Sequence, residues 1–124
     1  MNSERKHILI ADSDELALIK LEQMLEDDGF ETTTAWTTSE TVDLLKNSKF
    51  DLLLIADHPP ELDCELVLKT IRSEGGKTPL VVLENKPRHP FSEGFLINLG
   101  AKQIVHKWQI GEVKQAVQGM LAQG

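Results

Sequence analysis

The feature that most constrains the fold is a series of five short apolar segments, separated by longer segments of helical periodicity. The segments are residues 7–11, 30–35, 52–56, 80–83 and 103–106. The first, third and fourth are almost entirely apolar, which is typical of strands buried on both faces of a parallel sheet. Strands that alternate with helices in this way predict a doubly wound α/β domain with five parallel strands and five helices.

The intervening segments carry helix start and stop signals. Gly29 is suited to end the first helix, since glycine is common just beyond a helix C-terminus. Thr37 and Glu40 have the spacing of a capping box for the second helix. Pro90 is suited to the first turn of the fourth helix, where an N–H has no partner within the helix. Because no linker or low-complexity stretch interrupts the pattern, residues 1–124 are predicted to form a single domain.

The composition is that of a soluble globular protein, and it argues against several classes of function. The chain has 124 residues, of which 40% are hydrophobic and 27% charged, and its formal net charge is −7. This negative charge opposes binding to nucleic-acid phosphates. No apolar run approaches the roughly 18–20 residues that a membrane span needs, and the N-terminal residues lack the apolar core of a signal peptide. We therefore expect a cytoplasmic protein that binds neither nucleic acid nor membrane.

The candidate functional residues lie where the predicted strands end. Parallel strands place their carboxyl ends along one edge of the sheet, and open α/β sheets bind ligands at this edge. Asp12 follows the first strand, Asp57 the third, Glu84 the fourth and Lys107 the fifth. These four side chains are expected to converge. The single cysteine, Cys64, excludes an intrachain disulfide.

Four segments resemble those of response-regulator receiver domains, the CheY-like superfamily. They are residues 8–14 with their acidic side chains, residues 50–63 with the third strand and its following loop, residues 79–83 with the fourth strand, and Gly100-Ala101 followed six residues later by Lys107. The resemblance extends over about residues 7–121. It implies a flavodoxin-like sheet with strand order 2-1-3-4-5 and a non-enzymatic role in bacterial two-component signal transduction and phosphorelay.

The resemblance also identifies the residues of a phosphorylation pocket. In receivers the third strand ends in an aspartate that accepts a phosphoryl group, and this chain has Ala56 there. A pair of acidic residues holds Mg²⁺, a hydroxyl grips the phosphate, an aromatic residue acts as a switch, and a lysine completes the site. The corresponding residues here are, in that order, Asp12 with Ser13, Glu84, Ile104 and Lys107. Since only Asp12 and Lys107 match in chemistry, we expect a vestigial pocket with weak or no Mg²⁺ binding and no other cofactor.

These departures favour a pseudo-receiver that acts as a phosphorylation-independent protein–protein interaction module. One alternative is phosphoryl transfer to Asp57 with Mg²⁺, although its use needs an insertion before it and a deletion after it relative to the family pattern. Moving one residue along a strand also turns the side chain to the opposite face. A second alternative is a flavodoxin-like small-ligand-binding domain, which the acidic first loop disfavours because it would repel nucleotide phosphates.

Two further expectations concern Lys107 and Trp108. Lys107 should form an ion pair with Asp12 or Glu84, because both carboxylates are expected within its reach at the same edge of the sheet. Trp108 replaces the proline that follows the lysine in receivers, usually through a cis bond. Without proline a cis peptide costs about 3 kcal/mol, so a trans peptide is expected.

A partner surface is expected on the loop before the fourth helix. Pro87, Arg88 and Phe91 make this loop stiff, basic and aromatic, and Trp108 adds a side chain that is frequent in interface hot spots. The expected partner is a signalling protein, such as a histidine kinase or an output domain. In receivers the face of the fourth helix, fifth strand and fifth helix also forms homodimers, so a second copy of the chain is a further expected partner.

Overall fold

A computed structural model describes residues 5–85 and 90–121, the side chains of residues 90–92 excepted. Strands and helices alternate along the described chain. Their bounds are β1 (His7–Ala11), α1 (Glu15–Asp27), β2 (Glu31–Ala35), α2 (Thr38–Asn47), β3 (Leu52–Ala56), α3 (Cys64–Ser73), β4 (Leu80–Glu84), α4 (Pro90–Asn98), β5 (Gln103–His106) and α5 (Ile110–Leu121). None of these helices, within the described residues, is both long and apolar enough to cross a membrane.

The five strands form one parallel sheet in the order β2-β1-β3-β4-β5, which confirms the predicted fold and strand order. The strand limits agree closely with those predicted from the sequence. β2 begins at Glu31 rather than at Phe30, because the backbone N–H of Phe30 still donates to Leu25 O and so belongs to the end of α1. β4 continues one residue further than predicted, to Glu84.

Alternating side chains along the strands fill two separate cores. The core under α1 and α5 takes Ile8, Ile10, Leu52, Leu54, Ala56, Val81, Leu83 and Val105. The core under α2, α3 and α4 takes Leu9, Ala11, Leu53, Ile55, Leu80 and Val82. Because successive strand residues face opposite sides, these two sets define the side toward which a residue near a strand end points.

The loops at the carboxyl edge of the sheet are fixed by helix caps. Asp14 Oδ1 accepts from the backbone N–H of Leu16, 3.1 Å away, at the start of α1. The predicted capping box of α2 is present: Thr37 Oγ1 accepts from Glu40 N at 3.2 Å. The Glu40 carboxylate returns to the backbone N–H of Trp36, one residue before the cap, at 2.7 Å. Each such cap stabilises its helix by roughly 1 kcal/mol and holds the preceding loop in one conformation.

Candidate functional site

A buried ion pair joins the ends of β1 and β5. Lys107 Nζ lies 3.1 Å from Asp12 Oδ2 and 3.3 Å from Asp12 Oδ1, and the two residues are 1% and 0% exposed. The backbone N–H of Asp14 donates to Asp12 Oδ1 at 2.9 Å, and the Asp14 carboxylate lies 3.6 Å from Lys107 Nζ. The ion pair expected for Lys107 is therefore confirmed, with Asp12 as its partner.

His58 completes a three-residue group, the Asp12–His58–Lys107 cluster. Its Nε2 lies 3.0 Å from Asp12 Oδ1 and 3.1 Å from Lys107 Nζ. In one neutral tautomer Nε2 donates to Asp12, and in the other it accepts from Lys107. The loop that carries His58 is closed by two backbone hydrogen bonds with Leu62, of 2.9 and 3.0 Å. The imidazole is partly exposed, so it forms the boundary between the buried ion pair and solvent.

Strand alternation accounts for the position of all three side chains. Asp12, His58 and Lys107 each stand two residues beyond a strand residue of the α1/α5 core, namely Ile10, Ala56 and Val105. The order of the strands places β3 and β4 between β1 and β5, so the Lys107 side chain must extend past the ends of both strands to reach Asp12. At the end of β3, Ala56 presents only a methyl group.

His58 was not among the residues predicted from the sequence to lie at this edge. The alternation of side chains along a strand could have indicated its position. His58 stands two residues after Ala56, so its side chain is expected on the same face of the sheet.

Trp108 covers the Lys107 side of the cluster. Lys107 Nζ stands 5.5 Å from the centroid of the indole ring, a distance at which the cation is attracted to the aromatic face. The indole Nε1–H donates to Asn85 Oδ1 at 3.0 Å, which ties the loop after β5 to the end of β4. The peptide between Lys107 and Trp108 is trans, as predicted, since the cis bond of the described residues is Pro59–Pro60. Trp108 thus connects two loops through its bond with Asn85, while part of its side chain stays exposed to solvent.

The expectation that Asp57 converges with Asp12, Glu84 and Lys107 is wrong, because Asp57 points away from the cluster. Its Oδ1 accepts from the backbone N–H of Cys64, 3.1 Å away, at the first residue of α3. Since α3 covers the opposite face of the sheet from α1 and α5, this hydrogen bond places the Asp57 carboxylate on the other side from Asp12 and Lys107. A shift of one residue, from Ala56 to Asp57, therefore moves the side chain to the opposite face of the sheet, as the alternation along a strand requires.

The sequence matches the family described as "Response regulator receiver domain" over residues 8–118, most of the chain. The chain belongs to the response regulator receiver family. Receiver domains are signalling modules of two-component systems that interact with kinases or output domains. Comparison with curated proteins gives no match.

Solved receiver structures have the same fold. The receiver domain of the Francisella response regulator 1452 is 22% identical, with a TM-score of 0.85 over 94% of this chain and 96% of that one. A two-component response regulator from Clostridium difficile is 23% identical, with a TM-score of 0.86 over 95% and 97%. The signal receiver domain of an HD-domain-containing protein from Pseudomonas fluorescens Pf-5 is 25% identical, with a TM-score of 0.84 over 99% and 91%. At such identities the likeness carries the fold alone.

The residues at the carboxyl edge of this receiver do not fit Mg²⁺. This ion requires several hard oxygen ligands in near-octahedral geometry. The Asp12 carboxylate is already bonded to Lys107, and the Asp14 carboxylate caps α1 and lies 3.6 Å from the same ammonium. Positions 13 and 56 offer only a hydroxyl and a methyl group. Within residues 5–85 and 90–121 no group of three acidic, histidine or cysteine side chains is arranged to hold a metal ion.

The remaining predicted positions of the receiver pocket are Glu84 at the carboxyl edge and Ile104 within β5. Glu84 ends β4 with a half-buried side chain, and its backbone O accepts from Lys107 N at 2.9 Å. Ile104, at the switch position, packs against the core under α2, α3 and α4. Of the predicted partner surface, Pro87, Arg88 and the side chain of Phe91 lie outside what the structure describes.

Proposed function

We propose that this receiver is a phosphorylation-independent interaction module of two-component-type signalling. The observation that carries the proposal is the Asp12–Lys107 ion pair beside Ala56, in which the lysine neutralises the carboxylate directly. Such a pair makes no use of a phosphoryl group or a divalent cation. The proposal includes a cytoplasmic location, no catalytic residue and no bound metal.

The groups that phosphoryl transfer requires support this proposal, because this site does not supply all of them. An acceptor carboxylate, a cation for the phosphoryl oxygens and hydrogen-bond donors must surround one point in space. Ala56 has no nucleophilic atom, and Glu84 would place a carboxylate near the incoming phosphoryl oxygens. Lys107, the remaining donor, is fully buried and engaged with Asp12 and His58. Phosphoryl transfer at position 56 would therefore have to disrupt the cluster, and Ala56 has no carboxylate to receive the group.

Output in this proposal comes from a constant surface or from a partner that shifts a conformational population. A histidine kinase or an output domain is the proposed partner class, as for receivers in general. The basic loop with Pro87, Arg88 and Phe91, together with Trp108, stays the predicted docking region next to α4 and α5. A second copy of the chain on the same face is the alternative occupant.

We expect that acetyl phosphate with Mg²⁺ adds no phosphoryl group to the wild-type protein. Intact mass spectrometry, with a receiver that has the acceptor aspartate as positive control, measures the adduct directly. The alternative through Asp57 predicts an adduct that is lost in Asp57→Asn and retained in Asp51→Asn. That pattern would overturn the proposal, whereas an adduct that survives Asp57→Asn would point to a different residue and contradict both schemes.

A further inference from the structure

We infer that the surface around Trp36 binds an extended basic segment of a protein partner, with an arginine side chain stacked on the indole ring. This surface lies at the carboxyl edge of β2, next to the Asp12–His58–Lys107 cluster but separate from it. The inference goes beyond the proposed function, because it holds whether or not the pocket accepts a phosphoryl group.

Trp36 is both exposed and firmly held. Its side chain is 46% exposed, while its backbone N–H donates to Glu40 Oε1 at 2.7 Å. The preceding residue, Ala35, accepts from Asp12 N at 3.0 Å, which fixes the loop to the end of β1. On the other side Thr38 N donates to Glu61 O at 3.0 Å. A large flat side chain on such a fixed backbone is preorganised, so binding to it loses little conformational entropy.

The charge around Trp36 is uniformly negative. The loops after β1, β2 and β3, residues 12–14, 36–37 and 57–63, contain no lysine or arginine, and neither do the first three residues of α1, α2 and α3. Lys107, the nearby cation of the cluster, is buried and paired with Asp12. The acidic residues of these segments beyond the cluster are Asp14, Glu15, Glu40, Asp57, Glu61, Asp63 and Glu65. A basic segment complements this surface, whereas an acidic segment or a nucleic acid is repelled.

A groove of about 570 Å³ lies between β2 and α2, beside the loop that carries Trp36. Thr33 and Thr34 line it on β2, and Glu40 and Asp43 line it on α2. β2 is a terminal strand of the sheet, paired with β1 on one side. The Thr34 and Ser39 hydroxyl groups can bond the backbone of an extended segment, while the Asp43 carboxylate can take a second cation. The groove therefore suits an extended chain rather than a helix face.

Arginine fits the Trp36 position better than lysine does. Its planar guanidinium stacks on an aromatic face and can pair with a carboxylate through two parallel N–H groups. Glu40 supplies that carboxylate, since its Oε1 contacts the Trp36 backbone. A lysine ammonium is a compact and strongly hydrated charge, which gains less from the same ring.

The test titrates the protein with a short blocked peptide of alternating arginine and serine and follows the tryptophan indole N–H signals by NMR. The chain has two tryptophans, so Trp108 is an internal control. We expect a saturable shift of the Trp36 signal and a smaller or no shift of the Trp108 signal. Trp36→Ala should weaken the affinity roughly tenfold, and the same peptide with citrulline for arginine should lose it.

Matched variants separate a local site from general charge attraction. Glu40→Gln should weaken binding several-fold while it keeps an oxygen that can accept from the Trp36 backbone. Glu112→Gln removes the same charge from an exposed position on α5 and should change little. Equal losses in the two variants, equal binding of the citrulline peptide, or binding that survives Trp36→Ala would each overturn the inference. No saturable binding in the millimolar range would do so as well. Since the titration contains neither phosphodonor nor Mg²⁺, its outcome is independent of the proposed function.

Discussion

Replacing Lys107 by methionine is expected to lower the free energy of unfolding by about 3–5 kcal/mol, because the substitution leaves the Asp12 carboxylate buried without its cation. Methionine retains an unbranched apolar chain of similar length, so the loss reports on charge rather than on packing. His58 also contacts Asp12, at 3.0 Å, and its imidazole should hold the loss toward the lower end of this range. Urea denaturation followed by far-UV circular dichroism measures the difference.

The double variant Asp12→Asn/Lys107→Met tests whether the buried, unpaired Asp12 carboxylate causes the loss of stability in Lys107→Met. Removing both charges should recover a large part of the loss, because no unpaired ion is then buried. Lys46→Met is the matched control: its ion pair with Glu74, 3.2 Å long, is about half exposed, and such surface pairs contribute less than about 1 kcal/mol. Two results would contradict an energetic coupling between Asp12 and Lys107. One is a Lys107→Met variant as stable as Lys46→Met, and the other is a double variant whose loss equals the sum of the two single losses.

The fold could be predicted from the sequence because its signals are local and repeated. Buried parallel strands produce short apolar runs, and the capping residues Thr37 and Glu40 mark the start of a helix without any tertiary information. The site could be predicted in part, since strand ends of a parallel sheet share one edge. Asp12 and Lys107 carry opposite charges at that edge, and their pairing follows from the cost of burying either one alone.

The rest of the site depends on loop paths that strand periodicity does not determine. The parity of His58 indicates its face of the sheet, but its approach to Asp12 requires a loop closed by hydrogen bonds with Leu62, a pairing with no signature in the sequence. The bond of the Trp108 indole with Asn85, which fixes the ring over Lys107, is likewise a loop contact that the strand pattern does not determine. Asp57 is adjacent to the acceptor position, yet its bond to the start of α3 commits it to the other face.

Restoring two carboxylates should convert the cluster into a Mg²⁺ site. In the variant Ser13→Asp/Ala56→Asp two further acids stand beside Asp12, which supplies the hard anionic oxygens that the ion prefers. Without Mg²⁺ this variant is expected to be less stable than the wild type by several kcal/mol, because position 56 is 1% exposed and like charges crowd a buried acid. Binding to the folded state should reverse part of this loss.

The size of that reversal follows from mass action. At a Mg²⁺ concentration ten times its dissociation constant the variant should gain about 1.4 kcal/mol, visible as a rise in the thermal midpoint. The wild type should show no Mg²⁺-dependent rise, and neither should Ser48→Asp/Ser73→Asp, which adds the same charge at exposed positions away from the edge. Calorimetric scans with Mg²⁺ and with matched ionic strength from NaCl separate ion binding from screening. A wild-type midpoint that rises with Mg²⁺ as steeply as that of the edge variant would mean that Lys107 already shares Asp12 with a metal ion. The ion pair would then be no evidence for a pocket that has lost its phosphate chemistry.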